Sequence, residues 1–92
     1  STGIVDSHGL MLALLADAER HGAVLAVASP VRGGRADSTG IVLDIGGSAP
    51  TSLRARCVIN AAGLDAPRLG RALRGPAADL APRAFYARGA YF

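Results

Sequence analysis

Hydrophobic residues recur along this chain in several different rhythms, and each rhythm predicts a different element. Leu10, Leu14 and Ala18 fall at i, i+4 and i+8, with Met11 and Leu15 in the neighbouring row, while Asp17, Glu19 and Arg20 fall largely elsewhere. This spacing predicts an amphipathic helix from about Ser7 to His21. Asp6 or Ser7 suits its N-cap, because a short side-chain oxygen accepts the free amides of a first turn. Gly22 suits the position just past its end, where a left-handed backbone costs glycine little. Residues 23–28 then run Ala-Val-Leu-Ala-Val-Ala, continuously apolar and short. A run without a period of two predicts a strand covered on both faces, as in a parallel sheet.

After Ser29-Pro30 the pattern loosens. Val31 leads into Arg32-Gly33-Gly34-Arg35-Ala36, which reads as polar and flexible, and Asp37-Ser38-Thr39-Gly40 reads as a turn. Ile41, Leu43 and Ile45 alternate with Val42 and Asp44, the signature of a half-buried antiparallel strand. Residues 46–50 form the next turn by composition. Leu53, Ala55 and Cys57 alternate with Arg54 and Arg56, and the pattern becomes continuous at Cys57-Val58-Ile59 before Asn60-Ala61-Ala62-Gly63. One strand is therefore expected to begin with one face exposed and to finish covered on both. Its end, residues 58–61, is expected to lie parallel beside residues 23–28. Asp65 can cap a second helix with Pro67 in its first turn and Leu69 and Leu73 on one face, ended by Gly75-Pro76. Residues 77–82 read as a loop, and 84–92 as an extended strand interrupted by Gly89. The fold class is α/β: parallel strands, an inserted three-stranded antiparallel β-meander, and flanking helices.

Composition narrows the function. The length of 92 residues allows one domain. Half the residues are hydrophobic and 18% are charged, which excludes a disordered acidic or basic tail. No apolar run approaches the roughly 18 residues of a membrane span. A single cysteine excludes an intramolecular disulfide and a cysteine-built zinc site. The net charge of +3 comes from arginines without any lysine, spread from Arg20 to Arg88. They do not cluster, and the aromatic residues Phe85, Tyr86, Tyr91 and Phe92 all sit near the C-terminus. This pattern argues against nucleic-acid binding, which favours basic clusters interleaved with aromatics. No charged, apolar and cleavage regions mark a signal peptide at the N-terminus, so a cytoplasmic setting is expected. Apolar ends without polar tails suggest a central piece of a longer protein, one that self-associates when isolated.

The chemistry-bearing candidate is the turn Asn60-Ala61-Ala62-Gly63 between an apolar strand and a capped helix. Ligands of open α/β sheets bind beyond the carboxyl ends of the strands. Small residues let a large ligand approach the backbone, and Gly63 has no Cβ to obstruct it. A tight connection without a ligand would have the same composition, and both readings stay open on the residues alone. Other constellations carry less. His8, His21 and Cys57 lack metal-ligand spacing. Asp6, Ser7 and His8 are contiguous and do not make a triad, which is defined by geometry. Cys57 fits an inert buried thiol, and Arg54 and Arg56 fit the solvated face of the meander. Arg88 is a candidate to grip a carboxylate. No catalytic residue and no metal ligand is assigned.

Val58-Ile59-Asn60-Ala61-Ala62-Gly63-Leu64 resembles the second flavin-contacting turn of FAD-dependent oxidoreductases of the D-amino-acid oxidase type. Thr2-Gly3-Ile4-Val5-Asp6 and the helix after it look like the segment preceding that fold's adenine-side strand. Ser29-Pro30-Val31 resembles the strand end whose valine backbone meets the adenine. Arg88-Gly89-Ala90-Tyr91 is similar to a strand of L-2-hydroxyglutarate oxidase and its relatives. The resemblance implies a fragment of a Rossmann-like FAD-binding fold over residues 1–92. It implies FAD as cofactor, contacts from Val31, Asn60, Ala61, Ala62 and Gly63, and a small carboxylate-bearing substrate near Arg88. The family's Gly-x-Gly-x-x-Gly fingerprint and its C-terminal strand are absent from these residues, so the segment alone is expected to be inactive. The competing readings are a non-enzymatic, self-associating α/β domain and a segment of another flavoprotein such as a monooxygenase.

Overall fold

The structure, a computed structural model, describes residues 2–75 and 83–89. Its elements are helix α1 (Ser7–Arg20), strands β1 (Val31–Asp37), β2 (Gly40–Ile45) and β3 (Thr51–Ala55), a single 3-10 turn (Gly63–Asp65), helix α2 (Ala66–Ala72) and a two-residue strand β4 (Leu73–Arg74). The sheet order is β3-β2-β1-β4. The first three strands form an antiparallel meander, and β4 pairs parallel with β1. This mixed α/β arrangement agrees with the expected fold class.

Helix α1 begins and ends where its caps place it. The Gly9 amide donates to the Asp6 carboxylate at 3.1 Å, which satisfies one of the free amides of the first turn. At the other end the Ala23 amide reaches back to the Ala18 carbonyl and the Gly22 amide to that of Glu19, each at 3.1 Å. This reciprocal pair needs a left-handed residue, and Gly22 has φ +93°. The apolar stripe of α1 nevertheless stays exposed, and the helix buries none of its residues.

The meander is built on β2. Leu43 faces Leu53 on β3 and Gly34 on β1, and at 7% exposure it is the buried hydrophobic residue among those described. The register shifts between Val31 and Gly33, so Arg32 bulges out of the ladder. The Asp37–Gly40 connection is clipped to the far strand. The Asp37 carboxylate accepts from the Thr39 hydroxyl at 2.6 Å and the Thr39 amide at 2.8 Å. The Arg54 guanidinium donates to the Thr39 hydroxyl at 2.8 Å and sits 3.5 Å from Asp37. The Thr39 hydroxyl first, then its amide, then Arg54 hold the Asp37 carboxyl down at about 2.

Several expectations are corrected. Residues 32–36 are part of a strand, because β1 takes its structure from ladders on both sides and not from its own polar, glycine-rich composition. Residues 23–28 form no strand: Ala28 turns left-handed at φ +52°, and no described segment supplies a ladder for them. Val24 is 88% and Val27 74% exposed. Residues 58–61 are likewise without strand structure, so the parallel pair expected between these two runs does not form. Residues 84–89 form no strand, and 77–82 and 90–92 lie outside the described residues. Asp65 makes no side-chain cap; it pairs with Arg68 at 3.4 Å. Leu73 has left the second helix and joined β4. Arg54 is a clip to the turn and is not merely solvated.

Two measurements follow from this packing. A Cβ at the buried Gly34 would run into the Val42 carbonyl and the Leu43 backbone, whereas one at Gly3 would meet open space. Gly34→Ala should cost about 1–3 kcal/mol in urea unfolding, and Gly3→Ala should leave the midpoint unchanged. The lowered Asp37 value means that its stabilisation is present above the unfolded carboxyl range near 4 and is lost as pH falls toward 2. Asp37→Asn should flatten the acid limb of a stability–pH curve between pH 4 and 2, and an unchanged limb would contradict the clip.

Candidate functional site

The turn that enters α2 is shaped by one side chain. The Asn60 Nδ2 group donates to the Ala66 carbonyl at 2.9 Å, and the Asn60 Oδ1 atom accepts from the Ala62 amide at 3.3 Å. Asn60 thereby folds the turn back onto the start of the helix. The Asp65 amide closes the next step onto the Ala62 carbonyl at 3.1 Å. Gly63 takes φ +59°, and a Cβ built on it would meet nothing within 4 Å. Its left-handed backbone favours glycine, and the space above it is open. Residues 60–63 are all exposed, so their backbone is available to a ligand. Composition pointed to this turn, but the positioning role of Asn60 was missed. The readable signal is an asparagine at the start of a glycine-bearing turn, where its side chain commonly bonds the backbone two residues on.

Val31 lies on a different surface. It begins β1, is half-buried and pairs with Ile45. Beside it is a hollow of about 490 Å³, lined by Val31, Leu43, Ile45 and Leu53 with the hydroxyl side chains of Ser29 and Thr51. Its size is that of an ordinary small-molecule site, and its walls are mostly apolar. The Ser29 hydroxyl donates to the Val27 carbonyl at 3.0 Å and so fixes the entry into β1. None of residues 60–63 lines this hollow. The structure thus presents two separate surfaces, the hollow at Val31 and the turn at Asn60–Gly63, and does not merge them into one cleft.

The remaining candidates are dispersed. Arg88 is exposed and makes no hydrogen bond or ion pair among the described residues. Cys57 is exposed, which corrects the expectation of a buried thiol: the strand stops at Ala55 and leaves it uncovered. His21 ends α1 with its Nδ1 atom 2.8 Å from the Asp17 carbonyl oxygen. Among the described residues no three His, Cys, Asp or Glu side chains gather where a metal ion could be held, and no helix is long and apolar enough to cross a membrane.

No curated protein matches the chain. A model of one protein family, described as FAD dependent oxidoreductase and abbreviated DAO, matches residues 1–92. That match runs through both surfaces, the β1 entry and the turn before α2. The chain belongs to the family of FAD dependent oxidoreductases, whose cofactor is FAD.

Proposed function

We propose that this chain is a central, cofactor-contacting segment of an enzyme that oxidises a small 2-hydroxy or amino acid, similar to L-2-hydroxyglutarate oxidase. The observation that carries the reading is the exposed Asn60–Gly63 turn, with its open left-handed glycine, inside a chain matched over its whole length by the family. Bound FAD would supply the redox chemistry, as acceptor of a hydride from the substrate carbon. The share of this chain is to hold and orient. The backbone of Ala61, Ala62 and Gly63 offers a surface free of bulky side chains, and Asn60 fixes its shape. Val31 and the apolar hollow beside it suit a flat ring. Arg88 is the candidate to orient a substrate carboxylate, since a guanidinium forms two parallel hydrogen bonds with one.

The surface of the chain supports its being one part of a larger folded unit. It exposes 8062 Å², against roughly 5,000 Å² for a compact protein of this mass. Leu10, Met11, Leu14, Val24, Leu25, Val27 and Ile59 are all more than two-fifths exposed. Further polypeptide of the same enzyme, carrying the Gly-x-Gly-x-x-Gly fingerprint, would cover these residues and supply the main pyrophosphate contacts.

Flavin absorbance per protein after purification tests the reading. The isolated chain should be colourless and bind FAD no tighter than roughly millimolar, because each missing 1.4 kcal/mol weakens binding about tenfold. It should also associate with itself in sedimentation, since its apolar residues are uncovered. In the full-length enzyme Gly63→Asn, which tolerates left-handed backbone, should preserve folding and still lower flavin content, because its side chain enters the proposed cofactor surface. Gly63→Val should lower it further by adding backbone strain. A fully loaded Gly63→Asn enzyme would contradict contact at this turn.

A further inference from the structure

Sheet register places three arginines in one row. Arg54 on β3 faces Val42 on β2, Val42 faces Arg35 on β1, and Arg35 faces Arg74 on β4. Residues directly opposite in paired strands point to the same side of a sheet. Arg54, Arg35 and Arg74 therefore share a face, the one opposite to Leu43, Leu53 and the hollow. Arg54 is compensated by Asp37 and Thr39. Arg35 and Arg74 are not: both are exposed, and neither forms a hydrogen bond or ion pair among the described residues. Asp44 lies on the same face, opposite Gly33 and Ser52, and makes no ion pair with either arginine.

Like charges directly opposite on neighbouring strands are destabilising, so this juxtaposition favours an external counter-charge. We propose that the Arg35–Arg74 pair is a docking surface for an acidic segment of a partner protein. Charge and shape both favour that occupant. Two arginines at paired positions offer guanidinium groups that match carboxylates in bidentate fashion. At Gly34 and Arg35 the backbone of β1 lies between ladders to β2 and β4, so around this pair the face offers side chains and no convergent backbone amides of the kind that cradle phosphates. On this face Gly33 is buried against Ala72 at the end of α2, while Arg35, Arg74, Asp44, Ser52 and Arg54 are exposed and leave a strip along which a polypeptide can lie. The proposal is independent of where FAD binds.

The test uses the full-length protein and a fluorescein-labelled peptide of ten glutamates, read by anisotropy at low salt. Substituting Arg35→Gln and Arg74→Gln together should weaken binding by about tenfold or more, while Arg20→Gln with Arg83→Gln, an equal change of charge, should stay within about twofold. Arg74→Gln alone, at the sheet edge, should give an intermediate loss, and it carries the test if the double variant does not fold. Equal weakening by the two double variants would reduce the effect to net charge and overturn the proposal. So would the absence of binding by the unaltered protein. Displacement of the peptide by inorganic tripolyphosphate at lower concentration than by unlabelled peptide would also overturn it, in favour of a small-oxyanion site.

Discussion

The ladder on β2 is the constraint from which the rest of the described structure follows. β2 has a partner on both sides, β1 pairing with it from Val31 to Asp37 and β3 from Thr51 to Ala55. Hydrogen bonds within a sheet contribute modestly each, but a buried amide left without a partner is costly, so the three strands stand or fall together. Leu43 at the centre of β2 is buried because both neighbours cover it. β4 depends in turn on β1, and α2 is held by the strand that follows it. The close approach at Gly34 is a further consequence, since no side chain fits between β1 and the β2 backbone.

Elements whose partners lie nearby in sequence were readable. The alternation in β2 and β3 reports a sheet with one apolar face, and the structure supplies that sheet from adjacent strands. The caps of α1 were readable because Asp6 and Gly22 act within a single turn. β1 was not readable, because Arg32-Gly33-Gly34-Arg35 has poor intrinsic strand preference and is ordered by its neighbours. Residues 23–28 and 58–61 fail in the opposite direction. Their composition specifies burial on two faces, and the described residues provide no element to bury them. Apolar composition states what a segment requires, and the covering surface must come from elsewhere.

The candidate site divides the same way. The small residues of Asn60–Gly63 marked a turn that leaves backbone open, and φ +59° at Gly63 gives the physical reason for its glycine. What composition did not disclose was that Asn60 spends both ends of its amide on shaping the turn. Nor did it disclose that Val31 faces a separate hollow on the meander. An extended dinucleotide cofactor touches its protein at several distant places, so two separate surfaces within one segment are consistent with membership of the FAD dependent oxidoreductase family.

The proposed function requires the exposed apolar elements of this chain to be inner surfaces of a larger FAD-binding unit. Hydrogen exchange read by mass spectrometry on the FAD-loaded full-length enzyme addresses it directly, because protected amides report burial and bonding segment by segment. Burial of these elements predicts slow exchange in residues 23–28 and 57–62, comparable to β2, and faster exchange there once FAD is removed. Exchange in both segments at the rate of unstructured peptide, with FAD bound and β2 protected, would contradict it.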